Sequence, residues 1–291
     1  MVYQARQIKR RRSTKAQVEQ LDRQIMEVLA EDHPQSVRNV FYRMTDPRLP
    51  EQVEKSDRGY NQLQARITKL RREGRLPYGY ISDTTRRGYH VSTFDGASDF
   101  MRRMAGMYRA NLWEQSNWHV EVWCESRSIA GIIQGTCEEL AVSLYPTGGF
   151  SSITLIYEAA EYLNNVAYDR NVEIVYIGDY DPAGVLIDKQ VERELRDHLD
   201  PHIPLQFTRL GITLQQIERY DLPTKPRKAG DKRSLHISET VEAEAMPAVI
   251  MKENVREHVE QFLPVGALEA AKVAERSERE FIQNWAQELQ Q

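Results

Sequence analysis

Residues 172–184 read Val-Glu-Ile-Val-Tyr-Ile-Gly-Asp-Tyr-Asp-Pro-Ala-Gly, an apolar run followed by a turn rich in glycine and aspartate. A run dominated by β-branched residues, such as 172–177, is typical of a strand that is buried within a sheet. A helical pattern begins at Val185. The stretch therefore predicts a strand, a turn and a helix in that order, which is the repeating unit of α/β domains.

The same order of elements occurs earlier in the chain. Residues 119–124 form a short β-type run that ends at Glu125, and Ser126 or Ser128 can cap the helix that follows. A Pro-Thr-Gly-Gly-Phe turn at 146–150 and a further helix connect the two units. The alternation predicts an α/β domain with a largely parallel, Rossmann-like sheet, and ligands of such domains bind at the carboxyl ends of the strands.

Acidic side chains follow both of these strands. Asp179 and Asp181 are two residues apart, so an extended chain places their carboxylates on one side. Glu125 ends the other strand. Three hard oxygen donors at one sheet edge predict a Mg²⁺ site, in which Mn²⁺ can substitute. Glu121 is an alternative to Glu125, but its position within the strand favours a pairing or surface role.

Three segments further along the chain leave alternatives open. Glu242 and Glu244 supply either a further metal ligand or negative charge at the start of a helix. Residues 225–233 contain five lysines and arginines. This basic loop either reaches DNA, closes over the metal site, or is a solvated loop with neither task. Residues 251–291 predict an amphipathic helix that packs on its own domain or on a second subunit.

The N-terminal part of the chain has a different pattern. Apolar residues recur at three- and four-residue spacing in 15–31, 37–44 and 57–72, which predicts three helices. Aromatic and β-branched residues flank a turn between 78 and 91 and predict a two-stranded wing. Three helices and a wing describe a winged-helix domain over residues 15–96, whose third helix enters a DNA groove.

The charge balance separates the two halves of the chain. Residues 1–110 contain 22 Lys and Arg against 13 Asp and Glu, whereas residues 111–291 contain 17 against 30. A basic half next to an acidic half suggests a part that binds nucleic acid, joined to a part that collects carboxylates around a metal. The side chains predicted to hold DNA phosphates are Arg66, Lys69, Arg71, Arg72, Arg75, Arg86 and Arg87. The alternative for each of them is a solvated face.

Tyr42 does not fit the apolar stripe of its own helix. At about 100° per residue, it points roughly 150° away from the direction that Val40, Phe41 and Met44 share. Arg38 precedes it by one turn on the same side. A phenol beside a guanidinium suits a nucleophile, because the cation can bind the attacked phosphate and favour the phenolate. The alternative is that Tyr42 packs against another domain.

These residues together resemble a known family. Glu125, the Gly148-Gly149 turn and the Gly-Asp-Tyr-Asp-Pro-Ala-Gly stretch at 178–184 are similar to the Toprim domain of topoisomerases, primases and some nucleases. A winged helix with Val-Arg-Asn-Val-Phe-Tyr at 37–42, followed by a Toprim domain, resembles the A subunit of topoisomerase VI and the related meiotic double-strand-break protein. The form is that of the small, stand-alone bacterial, phage or plasmid relatives, and the similarity covers most of residues 15–245.

The resemblance implies an activity and its residues. In that family the second aromatic residue of the pair is the nucleophile, which corresponds to Tyr42, with Arg38 as the neighbouring arginine. The metal-binding acids correspond to Glu125, Asp179 and Asp181. The implied reaction is Mg²⁺-dependent cleavage of double-stranded DNA through a 5′-phosphotyrosyl link. The tyrosine of one subunit works with the metal site of the other, so the resemblance also implies a symmetric homodimer.

Other functions and partners stay open. A hydrolytic Toprim nuclease, acting for example in phage defence or for a mobile element, would use a metal-activated water in place of the tyrosine. A DNA-binding or regulatory protein would use the same fold without catalysis. If ATP is used, a separate ATPase subunit binds it, because this sequence has no GxxxxGK[ST] phosphate loop.

Length and composition limit the class of protein. Of the 291 residues, 41% are apolar and 28% charged, and the two cysteines have no CxxC spacing. These values exclude collagen-like, disulfide-framework and fully disordered proteins. Because no apolar run approaches twenty residues, we expect a soluble protein without membrane contact. The two cysteines are expected to be reduced, as in the cytoplasm, and the predicted DNA partner implies association with the nucleoid. The predicted divisions are a basic arm at 1–14, the winged helix at 15–96, a linker helix at 97–116, the Toprim domain at 117–250 and a helical segment at 251–291.

Overall fold

The computed structural model of the protein describes residues 13–81, 91–148, 153–227, 234 and 236–289. The chain divides into two compact units, Met1–Ser82 and Asp83–Gln291. Every described helix is either too short or too polar to cross a membrane.

The first unit is built on three helices. They are α1 (Lys15–Glu31), α2 (Val37–Met44) and α3 (Asp57–Arg72). Each begins after a side-chain cap, because Thr14, Ser36 and Ser56 each accept a hydrogen bond from a backbone N–H in the first turn. Apolar residues from all three helices form a single core. The three helices predicted from periodicity are therefore confirmed.

The wing predicted after α3 differs from the structure. Tyr78–Tyr80 is a short 3-10 helix, and Tyr80 stacks on His33 with ring centroids 3.8 Å apart. Ile81 makes only an isolated bridge, to Gln35. The second predicted strand falls on 82–90, which lies outside the described residues, and on Val91, which is not in a strand. Three helices are present, and the winged-helix assignment stays a prediction.

The second unit contains a four-stranded parallel sheet. The strands are β1 (Trp118–Cys124), β2 (Ser143–Pro146), β3 (Asn171–Ile177) and β4 (Leu205–Gly211), in the spatial order β2-β1-β3-β4. In the register of the sheet, Glu121 of β1 lies between Ser143 of β2 and Ile174 of β3. The predicted α/β class with a parallel sheet is confirmed.

The described part of the second unit also contains seven α-helices. They are α4 (Ala97–Ala105), α5 (Arg127–Glu139), α6 (Ile153–Val166), α7 (Gly184–His198), α8 (Leu214–Arg219), α9 (Ala248–Glu260) and α10 (Ala267–Glu288). The core includes Trp123, Ile174 and Tyr176 of the sheet together with apolar residues of α6 and α7. A short antiparallel ribbon, β5 (Lys225–Pro226) with β6 (Glu239–Thr240), and a 3-10 helix at Ala243–Ala245 lie between α8 and α9 in the chain.

The predicted linker helix belongs to the second unit. Helix α4 ends at Ala105 and packs along α10, where the Ser98 hydroxyl donates a hydrogen bond to the carbonyl of Ala286 at 2.6 Å. Farther along, Arg279 donates to the carbonyl of Tyr108 at 2.8 Å. The unit boundary after Ser82 therefore precedes the predicted linker. The C-terminal helix packs on its own unit, which is one of its two predicted alternatives.

Candidate functional site

The strand order creates a crevice at the carboxyl edge between β1 and β3. From β1 the chain continues to β2 on one side, and from β3 it continues to β4 on the other side. Such a switch point is where ligands of parallel α/β sheets bind. Glu125 directly follows β1, and Asp179 lies two residues beyond the end of β3. Two of the three predicted metal-binding acids therefore flank this crevice.

Glu125 and Asp179 are joined by a hydrogen bond. The Oε2 atom of Glu125 accepts the backbone N–H of Asp179 at 2.9 Å. Gly178 permits this approach, because a Cβ at that position would lie 2.9 Å from the same oxygen and 2.7 Å from the ring of Tyr176. A larger residue at position 178 would separate the strand end from the Glu125 carboxylate.

Asp181 organises the start of α7. Its Oδ1 atom accepts the backbone N–H groups of Ala183 and Gly184 at 2.9 and 2.6 Å, which is the local turn that aspartate favours. Gly184 lies close against the same loop, since a Cβ there would be 2.2 Å from the carbonyl oxygen of Asp179. The spacing of aspartates and glycines over 178–184 thus produces a compact loop.

Burial and mutual repulsion raise the pKa of Asp179 and of Glu125. Burial, followed by the charges of Glu125 and Glu244, raises the pKa of Asp179 to about 8. The pKa of Glu125 is also raised, mainly by burial. A divalent cation stabilises the ionised forms of carboxylates that otherwise oppose each other's ionisation. The chemistry of this donor set therefore fits Mg²⁺.

The acids do not form a closed coordination sphere by themselves. Within the described ranges, no three His, Cys, Asp or Glu side chains are arranged around one point as metal ligands. Glu125, Asp179 and Asp181 each use one carboxylate oxygen for a backbone N–H, which for Asp179 is that of Ala243 at 2.8 Å. Mg²⁺ commonly keeps several waters and takes only one or two carboxylates, which is the coordination that this arrangement favours. The metal site stays a prediction.

Glu244 is a fourth acid at this edge. It is buried, and its Oε1 atom accepts a hydrogen bond at 3.1 Å from the hydroxyl of Ser126, the residue that caps α5. Its charge contributes to the raised pKa of both Asp179 and Glu125. We call Glu125, Asp179, Asp181 and Glu244 the acid cluster. Glu242, the other acid left open by the sequence, is instead ion-paired with Lys225 at 2.7 Å.

Glu121 has a structural role. Its side chain is fully buried, so the surface role considered for it is wrong. One carboxylate oxygen accepts the indole N–H of Trp123 at 2.9 Å, and the other lies 3.4 Å from a ring nitrogen of His119. These contacts satisfy the carboxylate within the unit, as expected for a buried acid.

The basic loop is anchored beside the acid cluster. Its first residues, Lys225 and Pro226, form β5, which pairs with β6, and the backbone of Val241 just beyond β6 pairs with that of Tyr180, between the two aspartates. The Ser234 hydroxyl donates to the carbonyl of Pro182 at 3.3 Å. Residues 228–233 lie outside the described ranges. These contacts bring Ser234 and Val241, which follow the basic loop in the chain, to the acid cluster and leave the three alternatives for the loop open.

Tyr42 is buried, whereas helix spacing predicts an outward phenol. Only 5% of the residue is exposed, and its ring meets the edge of Phe41 at a centroid distance of 5.6 Å. The ammonium of Lys55 lies 5.8 Å from the centre of the Tyr42 ring. The guanidinium of Arg38 lies 5.2 Å from the ring centre of Tyr60. Phe41 and Lys55 belong to the same unit as Tyr42, so packing against another domain stays a prediction, and Lys55 is a cation near Tyr42 that spacing did not predict.

Two of the predicted phosphate-binding arginines are engaged within the first unit. Arg66 donates to both carboxylate oxygens of Asp22, at 2.8 and 2.5 Å, and Arg75 lies 3.3 Å from the same group. Asp22 is only 2% exposed. This buried acid, and not a phosphate, accounts for both arginines in the structure. The position of Asp22 on the apolar stripe of α1, three residues before Ile25, is the sequence feature that indicates such a pair.

The exposed face of α3 carries the other candidates. It presents Asn61, Gln64, Ala65, Thr68, Lys69 and Arg72, which are successive neighbours on one side of the helix. Lys69 lies 3.5 Å from Glu73. Arg71 is partly covered, since its guanidinium lies 4.4 Å from the ring centre of Tyr78. Arg86 and Arg87 fall in 82–90, outside the described residues.

Comparisons of this chain with protein-family models, with curated proteins and with solved structures found no match. Arg209 and Lys55 are not indicated by the sequence, whereas Glu244 is one of its open alternatives. Arg209 belongs to β4, a half-buried strand that has no continuous apolar run to indicate it.

Proposed function

We propose that this chain is a metal-dependent enzyme that cleaves the backbone of double-stranded DNA. The observation that carries the proposal is the acid cluster at the switch point between β1 and β3, where the pKa of Asp179 is raised to about 8. Strongly perturbed carboxylates in a crevice are typical of functional sites, and carboxylate-bound Mg²⁺ is a common catalyst of phosphoryl transfer. The exposed face of α3, which combines amide and basic side chains, supports DNA as the substrate.

The leading form of the reaction is a transesterification by Tyr42. Glu125, Asp179 and Asp181 would hold Mg²⁺, which when bound supplies positive charge to the attacked phosphate and the leaving oxygen. The phenol oxygen of Tyr42 would attack the phosphorus as the bond to the 3′ oxygen breaks. The protein would remain linked to the 5′ phosphate, and the phenolic proton would pass through solvent to the 3′ oxygen. Lys55, whose ammonium lies 5.8 Å from the ring centre of Tyr42, would favour a phenolate, and Arg38, whose guanidinium lies over Tyr60, would assist once it turns toward the phosphate.

This form requires Tyr42 to become accessible when DNA binds, because its side chain is buried. The family resemblance implies that the tyrosine of one copy acts with the acids of a second copy, so a symmetric homodimer belongs to the proposal. A separate ATPase subunit is part of it only if cleavage depends on ATP.

The burial of Tyr42 favours a second candidate function. In a hydrolytic nuclease, a water molecule would attack the phosphate at the acid cluster, and Tyr42 would serve packing only. The acids would keep the same role, and no covalent link to the protein would form.

A plasmid cleavage assay distinguishes the two forms. Supercoiled DNA is incubated with the protein and Mg²⁺ or Mn²⁺, and the products are run on a denaturing gel with and without protease digestion. In the transesterase form, broken DNA enters the gel fully only after protease, and Tyr42→Phe abolishes cleavage. Tyr168→Phe, at an exposed tyrosine of the second unit, is the matched control and should cleave like the wild type.

The same assay tests the proposal as a whole. Asp179→Asn should abolish cleavage in either form, because it removes an acid of the cluster. Cleavage by Tyr42→Phe without a protein adduct would establish the hydrolytic form. Binding of DNA without cleavage under any of these conditions would leave a non-catalytic DNA-binding protein and overturn the proposal.

A further inference from the structure

Arg209 binds the backbone that carries the first aspartate of the acid cluster. It lies on β4 opposite Tyr176 of β3, and its side chain is largely buried. The Nη2 atom donates to the carbonyl oxygens of Gly178 at 3.1 Å and Asp179 at 2.5 Å. Both residues follow directly after β3, at the start of the loop 178–184.

The other nitrogens of the same guanidinium reach the end of that loop. Nη1 donates to the carbonyl of Gly184 at 3.3 Å and to the carboxylate of Asp188 at 2.6 Å. Nε donates to the carbonyl of Ile212 at 3.1 Å, just beyond β4. Arg209 therefore connects the first and last residues of the 178–184 loop, while Asp188 of α7 holds the guanidinium in place.

Arginine is specifically suited to this position. Its guanidinium has five N–H donors in a rigid plane, so it can bind several carbonyl groups in different directions at once. Lysine has the same charge and three N–H donors, but all three lie on one nitrogen, which cannot occupy the separate positions from which Nε, Nη1 and Nη2 of Arg209 donate. A change to lysine therefore removes the geometry and keeps the charge.

We propose that Arg209 is a positioning residue that fixes Asp179 and Asp181 for binding of a divalent cation, with Asp188 as its support. The proposal rests on the proposed function, because it assigns Arg209 a role toward the cation of the acid cluster. Without the guanidinium, the carbonyls of Gly178, Asp179 and Gly184 lose a common partner. The loop is then free to change the separation of its two carboxylates, although neither is removed.

Metal affinity tests this role on the full chain. Binding of Mn²⁺ is measured from the loss of the free-ion signal in electron paramagnetic resonance. Arg209→Lys should lower the affinity about tenfold or more, as is usual for residues that orient metal ligands. Asp188→Asn should lower it by a smaller factor. Arg193→Gln, at an exposed arginine of the same helix α7, is the matched control and should bind like the wild type.

Amide hydrogen exchange provides a second readout without metal. The amides of Asp179, Ala183 and Gly184 donate to Glu125 and Asp181, so their protection reports whether the loop is held. In Arg209→Lys they should exchange faster, whereas the amides of β1 should not change. A general loss of stability would affect both regions.

The outcomes separate this proposal from the proposed function. If the wild type binds Mn²⁺ and Arg209→Lys binds it equally well with unchanged loop protection, the positioning role is wrong. If the wild type does not bind Mn²⁺ at all, the proposed function is wrong. If Arg209→Lys fails to fold, Asp188→Asn decides the matter, and an unchanged affinity and protection in that variant overturn the proposal.

Discussion

Asp179 is the residue at which the fold most clearly opposes ionisation. Its pKa rises from 3.8 to about 8, first because of burial and then because of the charges of Glu125 and Glu244. A carboxyl that binds its proton more tightly in the folded than in the unfolded state stabilises the fold fully below the unfolded pKa. This contribution is lost as the pH rises toward the folded pKa. In the absence of metal, the stability of the protein should therefore fall as the pH rises from about 4 to about 8.

Asp179→Asn should remove most of that pH dependence. The amide is neutral at every pH, and its side-chain oxygen can still accept the N–H of Ala243. With EDTA present, the melting temperature of the variant should exceed that of the wild type at pH 8, and the difference should shrink toward pH 4. Because the pKa of Glu125 is also raised, some dependence should remain.

The control for this measurement is Asp197→Asn, at an exposed position of α7. It should leave the pH dependence of the wild type unchanged. Adding Mg²⁺ at pH 8 should raise the melting temperature of the wild type more than that of Asp179→Asn. If the difference in melting temperature between Asp179→Asn and the wild type did not vary with pH, the raised pKa of Asp179 would be contradicted.

At the scale of single elements, α3 has two faces with different tasks. Arg66 points to the buried Asp22, whereas Arg72 lies on the exposed face with Asn61 and Thr68. Breaking a buried ion pair leaves an uncompensated charge and costs about 3 kcal/mol or more. An exposed cation contributes to DNA affinity through release of counterions from the phosphates.

Matched substitutions on α3 should separate these tasks. Arg66→Gln should lower the free energy of unfolding with little direct effect on the DNA affinity of the folded protein. Arg72→Gln should leave stability unchanged, weaken binding to a labelled duplex and reduce its salt slope by about one. Thermal unfolding and fluorescence anisotropy at several salt concentrations measure the two effects. If folded Arg66→Gln lost as much DNA affinity as Arg72→Gln, Arg66 would also have to bind a phosphate.

The elements that sequence predicted are those with a local pattern. Helices α1, α2 and α3 each bury one stripe, and β1 and β3 are central strands buried along nearly their whole length, so periodicity or apolar runs indicate them. Strands β2 and β4 lie at the sheet edges, are only half-buried and lack such a run. The predicted wing is wrong at Tyr78 and Tyr80, because the backbone forms a 3-10 helix there in place of a strand. The ring of Tyr78 contacts Arg71, and that of Tyr80 stacks on His33.

The residues of the candidate site also divide into those that a local sequence pattern indicates and those that depend on distant contacts. Glu125 and Asp179 could be placed from the sequence, because each follows a recognisable strand and parallel strands share one carboxyl edge. For Glu244 the sequence left two alternatives open, and for Arg209 it gave no indication, since the positions of both depend on contacts with residues far away in the chain, Ser126 and Gly178. Spacing on a single helix gave the direction of Tyr42 relative to its own stripe, but burial depends on what packs around it.

At the scale of the whole molecule, the charge asymmetry coincides with the division into two units. Residues 1–82 contain 17 Lys and Arg against 10 Asp and Glu, and residues 83–291 contain 22 against 33. Among the described residues, one hydrophobic cluster lies within 21–81 and another within 123–207, one in each unit. Since each unit contains such a cluster, we expect each unit to fold when expressed separately.

Separate expression should also divide the two binding activities. The fragment 1–82 should bind duplex DNA with an affinity that falls steeply as salt rises, because positive charge and the exposed face of α3 are both in that unit. The fragment 83–291 should bind Mn²⁺ as the full chain does, since the acid cluster and Arg209 all belong to it. Circular dichroism checks folding, anisotropy measures DNA binding and electron paramagnetic resonance measures Mn²⁺ binding. Strong DNA binding by 83–291 and none by a folded 1–82 would reverse the assignment, and the acidic unit would then have to bind phosphates through its basic loop.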